Sequence, residues 1–136
     1  MILLIDTDVL IDVAMSREPH VAASSELLSA VEDGKAAGFV AWHSLSNFHY
    51  LLSPRHGAAA AKDFLRDLLL FVDVSQTSTP SAAYAMGLPM RDFEDALQAA
   101  AAVACGADII ATRNIRDYIG SPVKAETPVN LLKQLR

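Results

Sequence analysis

Four short apolar runs, each leading into a helical pattern, set the strongest limit on how this chain can fold. They are ILLI at 2–5, GFVAW at 38–42, FVDVS at 71–75 and ADIIAT at 107–112, with SPVKAE at 121–126 as a candidate fifth. The first is apolar at every position, which suits a strand buried on both faces. The segments between the runs read as helices. DVLIDVAM continues from the first run. Glu18-Pro19 opens a second helix with Val21, Leu27, Leu28 and Val31 as its apolar members, ended by Asp33-Gly34. SLSNFHYLLS follows the second run, and Pro54 stops it. GAAAAKDFLRDLLL is a further helix. Thr79-Pro80 and Thr127-Pro128 each read as a cap followed by proline at the first helical position. RDFEDALQAAAAVACG is the clearest helix, with Phe93, Leu97, Ala100, Ala101 and Ala104 on one face and Gly106 as the stop. Strands alternating with helices imply an α/β fold, with a mostly parallel sheet of four to five strands covered on both faces. The length, 136 residues, fits a single domain over 1–136.

Composition narrows the class of function. The chain is 52% hydrophobic and 20% charged, as expected of a folded globular domain. Its net charge of −5 argues against a protein that coats nucleic acid non-specifically. A polyanion bound here has to meet a local basic patch or a bound cation. The single cysteine, Cys105, forbids an intrachain disulfide and reads as a small core residue. No secretory leader is visible and no run is long enough to span a membrane. A cytoplasmic location is the expectation.

The acidic residues fall at suggestive places. Asp6 ends the first strand, and ligands of open parallel sheets sit outside such carboxyl ends. Asn114 and Asp117 follow the fourth strand. Asp92 and Asp95 are spaced i, i+3 at the start of the long helix and neighbour each other on its surface. Three segments thereby bring acids to one point, at an electrostatic cost that a bound cation removes. Oxygen donors without Cys/His spacing favour Mg²⁺ or Mn²⁺ over Zn²⁺. Each acid also has an ordinary structural role open to it. Asp6 can cap the first helix, Asp8 can be a first-turn acid, and Asp92 can be an N-cap with Asp95 as its partner. Asp12 and Glu94 read as solvated surface.

LLIDTDVLIDV, DFEDALQAAAA and ADIIATRNIRDY with GSPVKAETP, in this order and spacing, resemble a PIN domain. Within that family they are most similar to the bacterial branch related to VapC-type toxins of toxin–antitoxin pairs. The resemblance spans essentially the whole chain. It implies a three-layer α/β/α sandwich and a Mg²⁺- or Mn²⁺-dependent ribonuclease site. It places Asp6 as the first-strand acid and Asp95 as the acid of the long helix. Asn114 stands where many members carry an aspartate, and Asp117 is the nearby acid able to supply that charge. Asn47 stands where many members carry a glutamate. Two amides in place of carboxylates reduce the ligand charge. The non-enzymatic alternative is therefore a catalytically weakened PIN-fold module that binds RNA or protein.

The remaining candidates follow from hydrolysis of a phosphodiester. Thr7 and Thr112 are candidates to hold site groups or water. Arg113 and Arg116, and more weakly Arg91 and Lys124, are candidates to grip phosphates. Trp42, His43, His49 and Tyr50 suit base stacking, or else core or a subunit contact. Expected partners are an RNA substrate, an antitoxin protein and a second copy of the chain in a homodimer. Two other enzyme classes place acids after a first strand. A haloacid-dehalogenase-type phosphatase lacks its downstream lysine in context, Lys124 being the sole candidate. A phosphoacceptor receiver lacks its acid after the third strand.

Overall fold

The computed structural model describes residues 1–135. Its strands are β1 (Ile2–Ile5), β2 (Ala37–Val40), β3 (Val72–Val74), β4 (Ile109–Ala111) and β5 (Lys124–Glu126). Its helices are α1 (Thr7–Ala14), α2 (Val21–Glu32), α3 (Trp42–His56), α4 (Ala58–Leu68), α5 (Thr79–Met86), α6 (Phe93–Ala104) and α7 (Pro128–Leu135). A 3₁₀ turn, Ile115–Tyr118, lies between β4 and β5. The strands form one all-parallel sheet in the order β3-β2-β1-β4-β5.

The first apolar run is central because it has no polar face to offer water. Leu3, Leu4 and Ile5 are fully buried. Leu3 and Ile5 join Leu10, Leu27, Val31, Phe48 and Leu131 in one core cluster, and Leu4 joins Ala99, Ala102, Ile110 and Tyr118 in another. Successive side chains of one strand thus feed two opposite layers, the period-2 signature of a strand covered on both sides. Burying each such leucine or isoleucine contributes about 1.5–3 kcal/mol. The sheet accepts α2 closely at Gly38, where an added Cβ would lie 2.8 Å from Val31 Cγ1.

The topology locates the site. From β1 the chain moves to β2 and β3 on one side, then crosses to β4 and β5 on the other. The direction of winding reverses between β1 and β4, and the crevice outside their carboxyl ends is where such sheets bind ligands. Backbone pairing continues just past the strands: Asp6 N–H donates to the Ala111 carbonyl (2.9 Å), and Thr112 N–H donates to that of Glu126 (3.0 Å). Asp6 and Thr112 are therefore delivered side by side to the switch point.

Several local expectations shift. Trp42 opens α3 rather than closing β2. Pro54 does not stop α3, which runs to His56 and ends at Gly57, where φ is +87°. Proline leaves the carbonyl four residues earlier without its N–H partner. That residue is Tyr50, which is 78% exposed and so open to water. Ser78, not Thr79, caps α5, in a capping box with Ser81. On α6, Phe93 and Ala104 are exposed, whereas Ala96 and Gln98 through Ala102 are buried. The small side chains let α6 lie between the sheet, through Ala99 and Ala102, and α5, through Ala96 and Ala100. Among the described residues no helix is long and apolar enough to cross a membrane.

Candidate active site

An open cleft of about 270 Å³ lies at the switch point, lined by Asp6, Thr7, Asp8, Ile11, Arg17, Leu51, Glu94, Asp95, Arg113, Asn114 and Asp117. Five of these residues are carboxylates, drawn from the end of β1, the start of α1, the start of α6 and the 3₁₀ turn. Two arginines are the only formal positive charges in the lining.

Asp6 is buried and held on one oxygen. Thr112 Oγ1 and Tyr118 Oη each donate to Asp6 Oδ2 at 2.9 Å, and Oδ1 takes no side-chain donor. Burial pushes the Asp6 carboxyl upward, with Glu94 adding to it, while the Tyr118 and Thr112 hydrogen bonds pull the other way. Burial and then the Asp6 charge push the Tyr118 phenol far above its ordinary range, so it stays a protonated donor. Asp8 takes all its hydrogen bonds from the loop after β4. Its Oδ2 accepts from Thr112 Oγ1 (3.2 Å), Arg113 N–H (3.2 Å) and Asn114 Nδ2 (3.1 Å). Burial, then the neighbouring Asp6 charge, push Asp8 up to about 7. The Thr112 hydroxyl has one proton for two carboxylates, so it cannot satisfy both in their charged forms. Asp95 is also pushed up to about 7, by burial first and then by Glu94, Asp6, Asp92 and Asp117.

Asp92 stands outside the cleft. Its Oδ1 accepts the Asp95 backbone N–H (3.0 Å) as the N-cap of α6, and the residue is exposed. Asp117 lines the cleft from an exposed position. Thr7 is buried, and Gln98 Nε2 reaches its hydroxyl (3.5 Å) and donates to Ser44 Oγ (2.7 Å). Asn47 is half-buried on α3 but does not line the cleft; Leu51, one turn later, does. Arg116 is exposed and also outside the lining.

Two sequence expectations are overturned. Glu94 does not simply face water: it lines the cleft and meets His43 Nε2 at 2.7 Å. Asp12 is not surface: it has no exposure at all, and Arg113 Nε lies 3.1 Å from its Oδ2. That contact is close but poorly aligned, and neither Asp12 oxygen meets hydrogen-bond geometry. Trp42 and Tyr50 are 70% and 78% exposed, so neither fills core. The sequence reading missed Tyr118, Arg17 and Gln98. Tyr118 carried a faint signal, as an aromatic residue directly after the loop aspartate.

The donor set suits a hard divalent cation: it is all oxygen, rich in carboxylates and crowded with like charge. It lines an open cleft rather than a closed cage. Among the described residues no three His, Cys, Asp or Glu are gathered as a finished ligand set. Mg²⁺ is ordinarily held by one or two carboxylates and keeps several waters.

Comparison with known families gives a match to the PIN domain over residues 3–116. The chain belongs to the PIN domain family. Solved structures of similar fold include VapBC2 of Rickettsia felis bound to a DNA fragment from its promoter. The TM-score to it is 0.68 at 18% identity, over 93% of this chain and 98% of that one. VapC20 of Mycobacterium tuberculosis, described as a toxin that cleaves the sarcin-ricin loop, matches with a TM-score of 0.69 at 16% identity, over 88% and 95%. FitAcB of Neisseria gonorrhoeae matches with a TM-score of 0.65 at 15% identity, over 95% and 99%. At these identities the likeness is one of PIN fold. Comparison with curated protein sequences gave no significant match.

Proposed function

We propose that this PIN domain is a Mg²⁺- or Mn²⁺-dependent endoribonuclease and the toxin of a toxin–antitoxin pair. The observation that carries the proposal is the convergence of Asp6, Asp8, Asp95, Glu94 and Asp117 on the β1/β4 switch point, without enough positive charge in the lining to offset them. Membership of the PIN family and the fold shared with VapC20 support the choice of RNA. The VapBC and FitAB assemblies among the similar structures support an antitoxin partner.

Asp6, Asp95 and Asp117 are the residues that would hold the cation. When bound, it makes water a better nucleophile near neutral pH and offsets charge developing on the phosphoryl group. The protein's own part is positioning. Tyr118 and Thr112 fix Asp6 through one oxygen and leave the other free of side-chain donors. Asp92 fixes the first turn of α6 and with it Asp95. Arg17 lines the cleft from an exposed position and can meet phosphate oxygens of the RNA backbone, whereas the Arg113 guanidinium is set against Asp12. The exposed side chains of Trp42 and Tyr50, two turns apart on the same side of α3, form the surface we assign to a homodimer contact.

A second reading, a PIN-fold binding module without catalysis, is favoured by two observations. Asn47 lies outside the cleft lining, and Asn114 presents its amide nitrogen to Asp8. Incubating RNA with purified protein, with Mg²⁺, Mn²⁺ or chelator, separates the two. Metal-dependent cleavage that disappears in Asp6→Asn supports the enzyme. RNA binding without cleavage under every condition supports the module.

A further inference from the structure

The residue at position 114, in the cleft lining, is a neutral amide, so the loop after β4 brings no negative charge of its own to that point. The geometry points to Asp8 as the carboxylate that supplies this charge to the cation, with Asn114 as its positioning partner; this rests on the cation reading of the cleft given above.

Asp8 stands in the first turn of α1, where an acid can serve simply by facing the helix N-terminus. Its hydrogen bonds show a different use. All of them come from residues 112–114 and none from α1. Three donors of that loop fall on Oδ2 within 3.1–3.2 Å: the Thr112 hydroxyl, the Arg113 backbone N–H and the Asn114 side-chain amide. Oδ1 has only a long contact of 3.4 Å with the same Arg113 N–H. One oxygen is thus occupied by the loop, and the other is left for a ligand. The Thr112 hydroxyl, with one proton to give, also lies 2.9 Å from Asp6 Oδ2, so Asp8 and Asp6 flank a single group.

Asn114 is the natural complement of this arrangement. Its Nδ2 donates to Asp8 Oδ2 at 3.1 Å, which an aspartate at 114 could not do while both groups were charged. Carboxylate and amide therefore divide two facing positions, one acid between them. Asp117 takes part differently. It is exposed, and its backbone N–H donates to the Asn114 carbonyl (3.1 Å) to close the 3₁₀ turn.

The two positions predict an exchange experiment, read by calorimetric titration of Mn²⁺ alone into the intact chain. Asp8→Asn is expected to weaken Mn²⁺ binding about tenfold. It should not lower the melting temperature of the metal-free protein, since it removes a like charge. Asn114→Asp together with Asp8→Asn returns the acid to the pair from the other side and should restore affinity to within about threefold of wild type. Mn²⁺ affinity within about twofold of wild type in Asp8→Asn would overturn the assignment. An exchanged pair that binds no better than Asp8→Asn alone would overturn it too. Failure of the underlying reading looks different. Absence of Mn²⁺ binding by wild type, or binding undisturbed by both Asp6→Asn and Asp95→Asn, overturns the cation site itself and Asp8's role with it.

Discussion

Helix α1 carries two acids one turn apart, Asp12 buried and Asp8 half-buried, and the protein treats them in opposite ways. Asp12 is sealed from water and set against the Arg113 guanidinium. Asp8 is set against more carboxylates, Asp6 foremost, and is pushed up to about 7. Both environments are poor in water, so both charges are costly to hold. The difference is where the counter-charge comes from. For Asp12 the chain supplies it. For Asp8, Asp6 and Asp95 the lining supplies too little, and in the function proposed above an external cation completes the balance. Arg113 belongs to both regions, with its side chain on Asp12 and its backbone N–H on Asp8. An acid neutralised from within holds the fold together, and acids left short of counter-charge mark the place where a ligand is wanted.

The largest effect should follow from attacking the cation side of this contrast. Asp6→Asn should reduce metal-dependent RNA cleavage to that of a chelator control while the melting temperature holds or rises. Gel-based cleavage of a mixed RNA substrate checks the first part and thermal melting the second. The internally neutralised side should respond in stability instead. Arg113→Met leaves Asp12 as a buried carboxylate without a partner, at a cost of about 3–5 kcal/mol. Pairing it with Asp12→Leu should recover most of that loss in urea denaturation. A single Arg113→Met with wild-type stability would show that the close but misaligned contact contributes nothing.

The two sides should also part with pH. Asp8 and Asp95 have folded values raised to about 7 from an unfolded value near 3.8. The native state therefore binds more protons than the unfolded chain between those values, and stability falls as pH rises. Whatever stability these groups contribute is complete below pH ~4 and gone once pH has passed through about 7. Metal-free protein should therefore melt lower at pH 8 than at pH 6, and saturating Mg²⁺ should shrink the difference. Equal melting at both pH values would contradict the crowding. A smaller change is expected from Tyr118→Phe, which removes one donor from Asp6 and should cost about 1 kcal/mol. It should weaken Mn²⁺ binding as well, since the ionised form of Asp6 loses support. Least of all, Trp42→Ala at a 70% exposed position should alter stability by no more than about 0.5 kcal/mol. It should nevertheless shift sedimentation at micromolar concentration toward the 14.6 kDa species if α3 forms the dimer contact.

The fold was legible because it rests on short-range regularities. A four-residue all-apolar run ended by a polar residue suits an inner strand, and its alternation with helices suits a parallel sheet. Asp6 and Asp95 were legible for the same reason, since strand end and helix start follow from local pattern. The surroundings of those acids were not. Asp12 looks like a solvent-facing residue of an amphipathic helix until the loop after β4 closes over it, and nothing in α1 announces that loop. Tyr118 reaches Asp6 only because a 3₁₀ turn bends the chain back at the sheet edge, across a separation that periodicity does not see. Gln98 is buried because its amide reaches Thr7 of α1 and Ser44 of α3, partners far away in sequence. Asp92 shows the converse: its spacing to Asp95 suits a shared ligand, but its short side chain closes on the Asp95 backbone N–H.

Thermal melting with and without Mn²⁺ in wild type and Asp95→Asn shows whether the acids at the β1/β4 switch point are short of a cation. A ligand that binds only the native state raises the melting temperature by mass action. A clear rise is expected in wild type and a much smaller one in Asp95→Asn, with the metal-free variant no less stable than wild type. Equal Mn²⁺ shifts in the two proteins would place the ion elsewhere and contradict a cation site at the switch point.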